Sequence, residues 1–228
     1  MNDVDFLQQT QLFAGVSEMQ LQKIVPDIVR RHFRQGEVIF REGDPGQVLY
    51  LIQSGQVRIY VNGLDGSETS VILFGRPGEI FGELAVVDGL PRSATAVALE
   101  ETLLLTIERE RFRRHLCQAP ALALNFMQEL SLKLRYNTRQ MDSLANLPVP
   151  QRLARKLMEL AQSYGRAEAE GVRIDLTLTQ TDLASLIGAA RESINKSLRD
   201  FRRRRWIQIQ DGYIVILDPE ALRAQVSL

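Results

Sequence analysis

The sequence predicts an α+β chain with three parts: a compact all-β domain, a long helix and a small basic helical domain. Short β-rich runs alternate with glycine turns over residues 34–106, and apolar residues then follow a heptad spacing over residues 123–144. Two further helical segments flank a glycine before a C-terminal hairpin pattern. The 228 residues suffice for this organisation, with predicted boundaries at 1–118, 119–147 and 148–228.

The composition predicts a soluble protein of the cytoplasm. Hydrophobic residues make up 45% and charged residues 25%, and no apolar run approaches the roughly 20 residues that cross a bilayer. The N-terminus lacks the basic segment and apolar core of a secretion signal. Cys117 is the single cysteine, which excludes an internal disulfide.

The N-terminal part begins with helical spacing and continues with strands. Apolar residues among the first thirty positions predict short helices. From Arg34 to about Thr106, the runs EVIF, VLYLI, VRIYV and SVILF predict strands of an all-β sandwich or barrel. Turns are predicted at the glycines between these runs: Gly36, Gly43, Gly46, Gly55, Gly63, Gly66 and Gly75.

A long helix is predicted from Pro120 to Leu147, because proline suits a first helical turn and heptad spacing follows it. Such a seam usually pairs with a second copy of itself, which predicts a homodimer. The seam residues are Ala123, Met127, Leu130, Leu134, Asn137, Met141 and Leu144. Asn137 is the polar member, and either fixes the register of the dimer or faces a ligand at its interface.

The C-terminal part has the pattern of a winged helix-turn-helix. Pro148 and Pro150 mark a boundary, and an amphipathic helix then extends to Gly165, where a polar loop follows. Thr179 to Asp182 predicts a capping box, Gly188 a tight turn, and residues 191–203 a second helix. Asp211 and Gly212 predict a hairpin turn between two strands.

Basic charge is concentrated in this C-terminal part. The chain has no net charge, but residues 1–147 carry −3, residues 148–228 carry +3, and residues 191–210 alone carry +5. A local basic patch is typical of a protein that binds nucleic acid. For the run from Arg202 to Arg205, a solvated helix end and contact with DNA phosphates are equally consistent with the sequence.

Three segments, in this order, resemble the Crp/Fnr family of transcription regulators: FGELAVVDGLPRSATA, the seam helix and GAARESINKSL. The resemblance covers nearly the whole chain. It implies an N-terminal, jelly-roll-like β-roll that binds a cyclic nucleotide, a central dimerisation helix and a C-terminal DNA-binding domain. It also implies double-stranded DNA and RNA polymerase as partners, with no membrane association and no enzymatic activity.

The resemblance implies an effector site for a cyclic nucleotide, with cyclic AMP favoured. A guanidinium suits the phosphate and a carboxylate suits the ribose hydroxyl. Asn137 and Thr138 stand where the family usually has Thr or Ser beside the base, so cyclic GMP or another nucleotide stays open. The implied contacts are Arg92 and Ser93 for the phosphate, Glu83 for the hydroxyl, Gly82 and Leu84 through backbone amides, and Asn137 and Thr138 for the base. The alternative is a Glu83–Arg92 ion pair that closes a turn without any ligand.

Other chemistries are not supported by the sequence. An iron–sulfur cluster requires several thiolates, and haem requires axial ligands. We expect His32, before the first strand, and His115, beside basic residues, to be surface or packing residues, and Cys117 to be a small buried side chain. The chain shows no nucleophile with a base, no metal-ligand spacing and no phosphate loop, so we expect neither a metal nor catalysis.

The resemblance also implies which residues contact DNA. Arg191, Glu192 and Lys196 would face base edges in the major groove. Further implied contacts are Thr179, Gln180, Ser193 and Asn195. The alternative is a solvated helix start with a Glu192–Lys196 pair. The sequence thus predicts a ligand-gated homodimer that binds a palindromic operator; the same fold with another ligand or none, or a regulatory subunit of an enzyme, is the alternative.

Overall fold

The computed structural model describes residues 3–63 and 68–226, so the predicted turn at Gly66 lies outside the described residues. The chain divides into two compact units. The first comprises Met1–Asn62 and Ile72–Tyr136, and the second Gly63–Val71 and Asn137–Leu228. None of the described helices is both long enough and apolar enough to span a membrane.

The chain begins with the short helices that the sequence predicts. They are α1 (Asp3–Gln8) and α2 (Glu18–Ile24), with single 3-10 turns at Gln11–Phe13 and Val25–Asp27. A capping box starts α2, because Ser17 accepts a hydrogen bond from the Gln20 amide while the Gln20 side chain accepts one from the Ser17 amide. The apolar faces of both helices contribute to one buried cluster of the first unit.

Eight strands form two four-stranded sheets, which confirms the predicted β-rich domain. The strands are β1 (Ile28–Phe33), β2 (Val38–Phe40), β3 (Val48–Ser54), β4 (Val57–Asn62), β5 (Glu68–Phe74), β6 (Ile80–Phe81), β7 (Thr95–Ala98) and β8 (Thr102–Glu108). Their order is β1-β8-β3-β6 in one sheet and β2-β7-β4-β5 in the other. A short helix, α3 (Glu83–Asp88), interrupts the strands between β6 and β7.

Strand β1 was not predicted from the sequence, and the predicted position of His32 before the first strand is wrong. His32 pairs with Leu103 in the antiparallel β1–β8 ladder. Four consecutive residues of β1 are exposed, including Val29, because β1 lies at the edge of its sheet. The alternating burial that identifies a strand in a sequence is therefore absent from β1.

Two helices follow the strands: α4 (Arg109–Gln118) and α5 (Pro120–Asn146). The structure confirms α5 to within one residue of its predicted end, whereas α4 was not predicted, because charged residues surround its few apolar positions. Phe112 of α4 packs edge-on against Phe126 of α5, with ring centroids 5.1 Å apart. Both rings belong to the cluster that also buries α1 and α2.

The second unit has the predicted helices and hairpin. Its elements are α6 (Val149–Tyr164), β9 (Gly165–Glu168), β10 (Gly171–Ile174), α7 (Gln180–Leu186), α8 (Arg191–Arg203), β11 (Ile207–Gln210), β12 (Tyr213–Ile216) and α9 (Pro219–Val226). The strands form one sheet in the order β11-β12-β10-β9. Asp211 and Gly212 both have positive φ, at 51° and 84°, which confirms the two-residue turn between β11 and β12.

The predicted loop after Gly165 is wrong, because β9 and β10 form a hairpin there. Gly165 itself is extended, with φ −77° and ψ 136°, and begins β9. Strand β10 also pairs with β12, about forty residues further along the chain. A hairpin held by so distant a strand leaves little trace in its own polar sequence.

Candidate effector-binding and DNA-binding sites

A glycine turn positions the first candidate site in the first unit. Gly82 adopts the left-handed conformation, with φ 75°, and immediately precedes α3. A Cβ atom on Gly82 would lie 2.5 Å from Nη1 of Arg92 and 3.3 Å from Cδ2 of Tyr50. Glycine is therefore required both for the backbone conformation and for the close approach of Arg92.

Arg92 is buried between strands and retains an unpaired donor. It is 4% exposed, and its Nη1 and Nη2 donate to the carbonyl oxygens of Gly82 and Val48, each at 2.7 Å. Its Nε has no hydrogen-bond partner among the described residues. Burial lowers the pKa of Arg92, whereas nearby Tyr50 and Glu83 raise it. A buried cation with an unpaired N–H is suited to receiving an anion.

Aromatic rings surround the Arg92 guanidinium. Its central carbon lies 4.3 Å from the ring centroid of Phe40 and 5.4 Å from that of Tyr50. Tyr50 in turn stacks on Phe81, with centroids 5.0 Å apart and ring planes 10° apart. Cation–π contacts away from water contribute about 2 kcal/mol, so these rings help to hold the buried charge. Burial raises the pKa of Tyr50, partly offset by Arg92 and Arg31.

Glu83 pairs with a lysine of α5 rather than with Arg92. Oε2 of Glu83 lies 2.9 Å from Nζ of Lys133, and the Glu83 side chain is 9% exposed. The same Nζ donates to the Ile80 carbonyl at 2.8 Å. The turn-closing Glu83–Arg92 ion pair considered in the sequence analysis is therefore wrong.

The remaining predicted effector contacts lie at exposed or partly exposed positions. Ser93 directly follows Arg92 and is exposed, and Leu84 on α3 is 49% exposed. Asn137 and Thr138 are exposed on α5, in the part of that helix that belongs to the second unit. The structure thus brings together Gly82, Glu83 and Arg92, while the base contacts of Asn137 and Thr138 stay predictions.

The second candidate site is the helix-turn-helix of the second unit. Thr179 is the N-cap of α7: its hydroxyl accepts from the Asp182 amide at 3.1 Å and donates to the Asp182 carboxylate at 2.6 Å. This confirms the capping box. Gly188 has φ 58° in the turn between α7 and α8, as predicted. The hydroxyl of Thr179 is thus engaged within its own helix, and Gln180 beside it is partly exposed.

Helix α8 buries one face and exposes the predicted base-contacting residues on another. Ile194, Leu198 and Phe201 are buried, whereas Arg191, Glu192 and Lys196 are exposed. Ser193 and Asn195 are partly exposed between these faces. An open cavity of about 750 Å³ runs along α8 opposite the start of α6; its lining includes Val149, Pro150, Glu192, Ser193, Lys196 and Arg203.

Two family profiles match the chain, one on each candidate site. Residues 30–118 match the cyclic nucleotide-binding domain, and residues 151–225 match the Crp-like helix-turn-helix domain. The first match contains Gly82, Glu83 and Arg92, and the second contains α7 and α8.

Several relatives match this chain over most of its length. The CRP-like cAMP-activated global transcriptional regulator of Mycobacterium tuberculosis is 33% identical over 218 residues, 96% of this chain and 97% of the relative. This chain belongs to the Crp/Fnr family of transcription regulators. The cyclic AMP receptor protein of Thermus thermophilus is 31% identical and covers 92% of this chain and 94% of its own. The structure of the c-di-GMP responsive global regulator CLP of Xanthomonas campestris has a TM-score of 0.75 at 25% sequence identity. The match covers 88% of this chain and 99% of CLP.

Membership in the Crp/Fnr family confirms the predicted fold class and a DNA-binding regulator with a cyclic nucleotide-binding domain. The family resemblance implies three departures of this chain from the usual pattern. By that resemblance, Ala190 stands where Ser is common, Lys196 where Arg is common, and Asn137-Thr138 where Thr or Ser is usual. Ala190 is the N-cap of α8 and provides no side-chain cap.

Two parts of the candidate effector site were not predicted from the sequence: Lys133 and the rings of Phe40, Tyr50 and Phe81. Lys133 lies fifty residues beyond Glu83, and only the packing of α5 brings the two together. The rings belong to three different strands. The sequence features that could have indicated them were a lysine within the helix predicted from Pro120 to Leu147 and an aromatic residue in several of the strand runs.

The predictions for the histidines and the cysteine have mixed outcomes. His115 is buried, and its Nε2 lies 2.8 Å from the Asp27 carboxylate, so it is a packing residue as expected. Burial raises the pKa of Asp27, but hydrogen bonds and charges from His115 and Arg111 outweigh burial and lower it. Cys117 is exposed, so its predicted burial is wrong. Among the described residues, no group of three potential metal ligands occurs.

Proposed function

We propose that this regulator senses a cyclic nucleotide, with cyclic AMP favoured, at the site around Arg92. The observation that carries the proposal is the buried Arg92 with its unpaired Nε, within one short segment of the buried carboxylate of Glu83. A cyclic nucleotide has one phosphate charge and one ribose hydroxyl, which match this pair of groups. The names of the Mycobacterium tuberculosis and Thermus thermophilus relatives support cyclic AMP.

Each residue of the site has a proposed role. Arg92 and Ser93 hold the phosphate, Glu83 accepts the ribose hydroxyl, and Gly82 and Leu84 contribute backbone amides. Asn137 and Thr138 contact the base, and Lys133 orients the Glu83 carboxylate through their ion pair. The effector requires no metal, haem or iron–sulfur cluster.

Titration calorimetry of the purified protein against cyclic AMP, cyclic GMP and cyclic di-GMP tests this proposal. We expect cyclic AMP to bind most tightly. Hydrogen bonds to charged groups contribute about 1.5–3 kcal/mol each, so Arg92→Lys, which retains the charge but loses the planar fork, should weaken binding by roughly 10- to 150-fold.

Arg34→Ala is the matched control, since Arg34 is exposed in the same unit. It should bind cyclic AMP like the wild type. Circular dichroism and thermal unfolding verify that Arg92→Lys remains folded. Wild-type binding by a folded Arg92→Lys protein would contradict the phosphate role of Arg92.

A second candidate is a regulator of the same fold that responds to another ligand or to none. It is favoured by the internal partners of the site: Arg92 already donates to two carbonyls, and Glu83 already pairs with Lys133. The c-di-GMP responsive relative supports another ligand. Tighter binding of cyclic di-GMP than of cyclic AMP in the calorimetry would support another ligand. The absence of binding heat with all three nucleotides would support a regulator that does not respond to them.

We propose that α5 mediates a homodimer. Met127, Leu134, Met141 and Leu144 of the predicted seam are all more than half exposed in the single chain, and a helix rarely leaves such a stripe to water. Leu134→Glu should therefore produce monomers in sedimentation velocity. Leu132→Glu is the matched control: Leu132 is 60% exposed, against 68% for Leu134, on the opposite side of the helix. If the Leu134→Glu variant remained dimeric, the proposal that the seam of α5 forms the dimer interface would be wrong.

We further propose that effector binding favours a dimer whose two α8 helices enter successive major grooves, roughly 34 Å apart, on a palindromic operator. The exposed cations of α8 support this DNA role over that of a regulatory subunit of an enzyme. RNA polymerase is the proposed protein partner, the cytoplasm the proposed location, and no catalytic activity is proposed. The proposed domain boundaries are 1–118, 119–147 and 148–228.

A further inference from the structure

An arginine in the left-handed backbone conformation, Arg205, follows the C-terminus of helix α8. The Trp206 amide donates to the Phe201 carbonyl at 2.9 Å and the Arg205 amide donates to the Arg202 carbonyl at 3.0 Å. The rings of Phe201 and Trp206 pack with centroids 5.3 Å apart. These two bonds and this ring packing define a Schellman motif, in which Arg205 occupies the position usually held by glycine.

The conformation of Arg205 is unfavourable for its residue type. Its φ is 58°, and Asp211, at 51° in the hairpin turn, is the other non-glycine residue with positive φ in the part of the chain that the structure describes. Aspartate tolerates this region of φ, whereas a long side chain with a Cβ atom is strained there. Strain of this kind is typical of residues whose side chain has a function.

The four arginines from Arg202 to Arg205 differ in their partners. Asp200 forms ion pairs with Arg203 and with Arg204, the latter at 2.9 Å. Arg204 also lies over the Trp206 ring, 5.0 Å from its centroid. Arg202 and Arg205 are exposed, and neither forms an ion pair with any described residue. The uncompensated positive charge of this run therefore belongs to Arg202 and Arg205.

We propose that Arg205, with Arg202 beside it, binds phosphates of the DNA backbone where α8 joins the β11–β12 hairpin. This inference rests on the proposed DNA role of α8. Arginine is suited to the task because its planar fork binds a phosphate oxygen pair, whereas glycine would relieve the strain but could not bind the phosphate. Arg205 thus lowers the stability of the fold but raises the affinity for DNA of any sequence.

Three substitutions separate strain from charge. Arg205→Gly should raise the melting temperature by a few degrees, because glycine accepts positive φ. Arg205→Ala removes the same charge without that relief, so its melting temperature should not rise. Both Arg205 variants should bind DNA more weakly. The loss of affinity should be equal for a selected operator duplex and for a random duplex of the same length. Arg203→Ala, whose guanidinium pairs with Asp200, is the charge-matched control and should have a smaller effect on both duplexes.

Fluorescence anisotropy at several salt concentrations measures these affinities, with and without cyclic AMP. Removal of one phosphate interaction from each subunit should reduce the slope of log affinity against log salt by about 1.8 per dimer. Wild-type slopes for both Arg205 variants would overturn the inference. So would unchanged DNA binding with abolished transcription in vitro, which would indicate an acidic protein partner. A wild-type protein that binds neither duplex would instead refute the DNA role of α8.

Discussion

Lys133 of α5 lies 2.9 Å from the buried carboxylate of Glu83 and joins the long helix to the segment that precedes Arg92. Because Lys133 also donates to the Ile80 carbonyl, its ammonium is fixed by two partners. Any ligand that bonds to Glu83 therefore changes the environment of a residue on α5. In the proposed dimer, this ion pair would link effector binding to the helix that joins the two subunits.

Lys133→Gln should lower stability and disturb effector binding. Removal of one partner of a buried pair leaves the other charge uncompensated, which costs about 3–5 kcal/mol when both are fully buried. Lys133 is 20% exposed, so we expect roughly 1–3 kcal/mol, measured by urea unfolding.

A double-mutant cycle with Glu83→Gln verifies the origin of the Lys133 effect. The double variant should be more stable than Lys133→Gln alone, because no unpaired carboxylate remains buried. Additive losses in the double variant would mean that Lys133 acts through packing and not through Glu83.

Glu129, one turn before Lys133 on α5, should make stability depend on pH. Burial raises the pKa of Glu129 above 4.5, while Lys133 opposes the increase. The protonated form is therefore favoured in the fold, and stability is lost as pH rises through the folded pKa. Glu129→Gln should be more stable than the wild type at neutral pH and equal to it below pH 4.5.

Thermal unfolding of both proteins across this pH range measures the effect of Glu129. The difference in melting temperature should grow with pH and then level off. A constant difference at all pH values would assign it to packing of the amide and not to ionisation.

Local chemistry explains which elements the sequence predicted. The turns at Gly36 and Gly43, the capping box at Thr179 and the hairpin at Asp211 each depend on a few adjacent residues, and these predicted features are present. Strand β1 and the β9–β10 hairpin depend on partners far along the chain, and were missed. The apolar spacing of α5 was sufficient to predict where this helix begins and ends. Helix α4 has too few apolar residues for a helical periodicity to be visible in its sequence.

The same distinction applies to the candidate effector site. Gly82, Glu83 and Arg92 lie within one short segment, so their chemistry is visible in the sequence. The partners of Glu83 and Arg92 come from α5 and from other strands, and no local pattern specifies them. The sequence could therefore predict the candidate ligand-binding groups, but not the neighbouring residues that contact them in the fold.

Ala190→Ser should stabilise the helix-turn-helix. Ala190 has the extended conformation of an N-cap, with φ −67° and ψ 142°, but no side-chain oxygen to accept a bond from the first turn of α8. A serine cap contributes about 0.5–2 kcal/mol, or a few degrees of melting temperature. Ala189→Ser, one residue before the cap, is the control and should have no stabilising effect. An equal gain from both variants would exclude capping as the cause.

Arg191→Ala should relax the sequence preference of DNA binding. Arg191 begins α8 at the exposed end, where recognition helices meet base edges, and arginine binds guanine O6 and N7 with two hydrogen bonds. If Arg191 and Glu192 contact bases as the family resemblance implies, the dimer should select a palindrome with TGTGA and TCACA halves. The substitution should cost about 1–3 kcal/mol per half-site and affect one guanine.

Selection from a random DNA library tests the role of Arg191, with Lys196→Arg and Arg203→Ala beside it. Lys196 cannot form a planar fork, so Lys196→Arg should sharpen the preference at its own base pair. Arg203 pairs with Asp200, so Arg203→Ala should leave the selected sequence unchanged. The two-fold symmetry of the proposed dimer requires any effect of Arg191 to appear in both half-sites. A palindrome that survives Arg191→Ala without change would show that other residues of α8 select the operator.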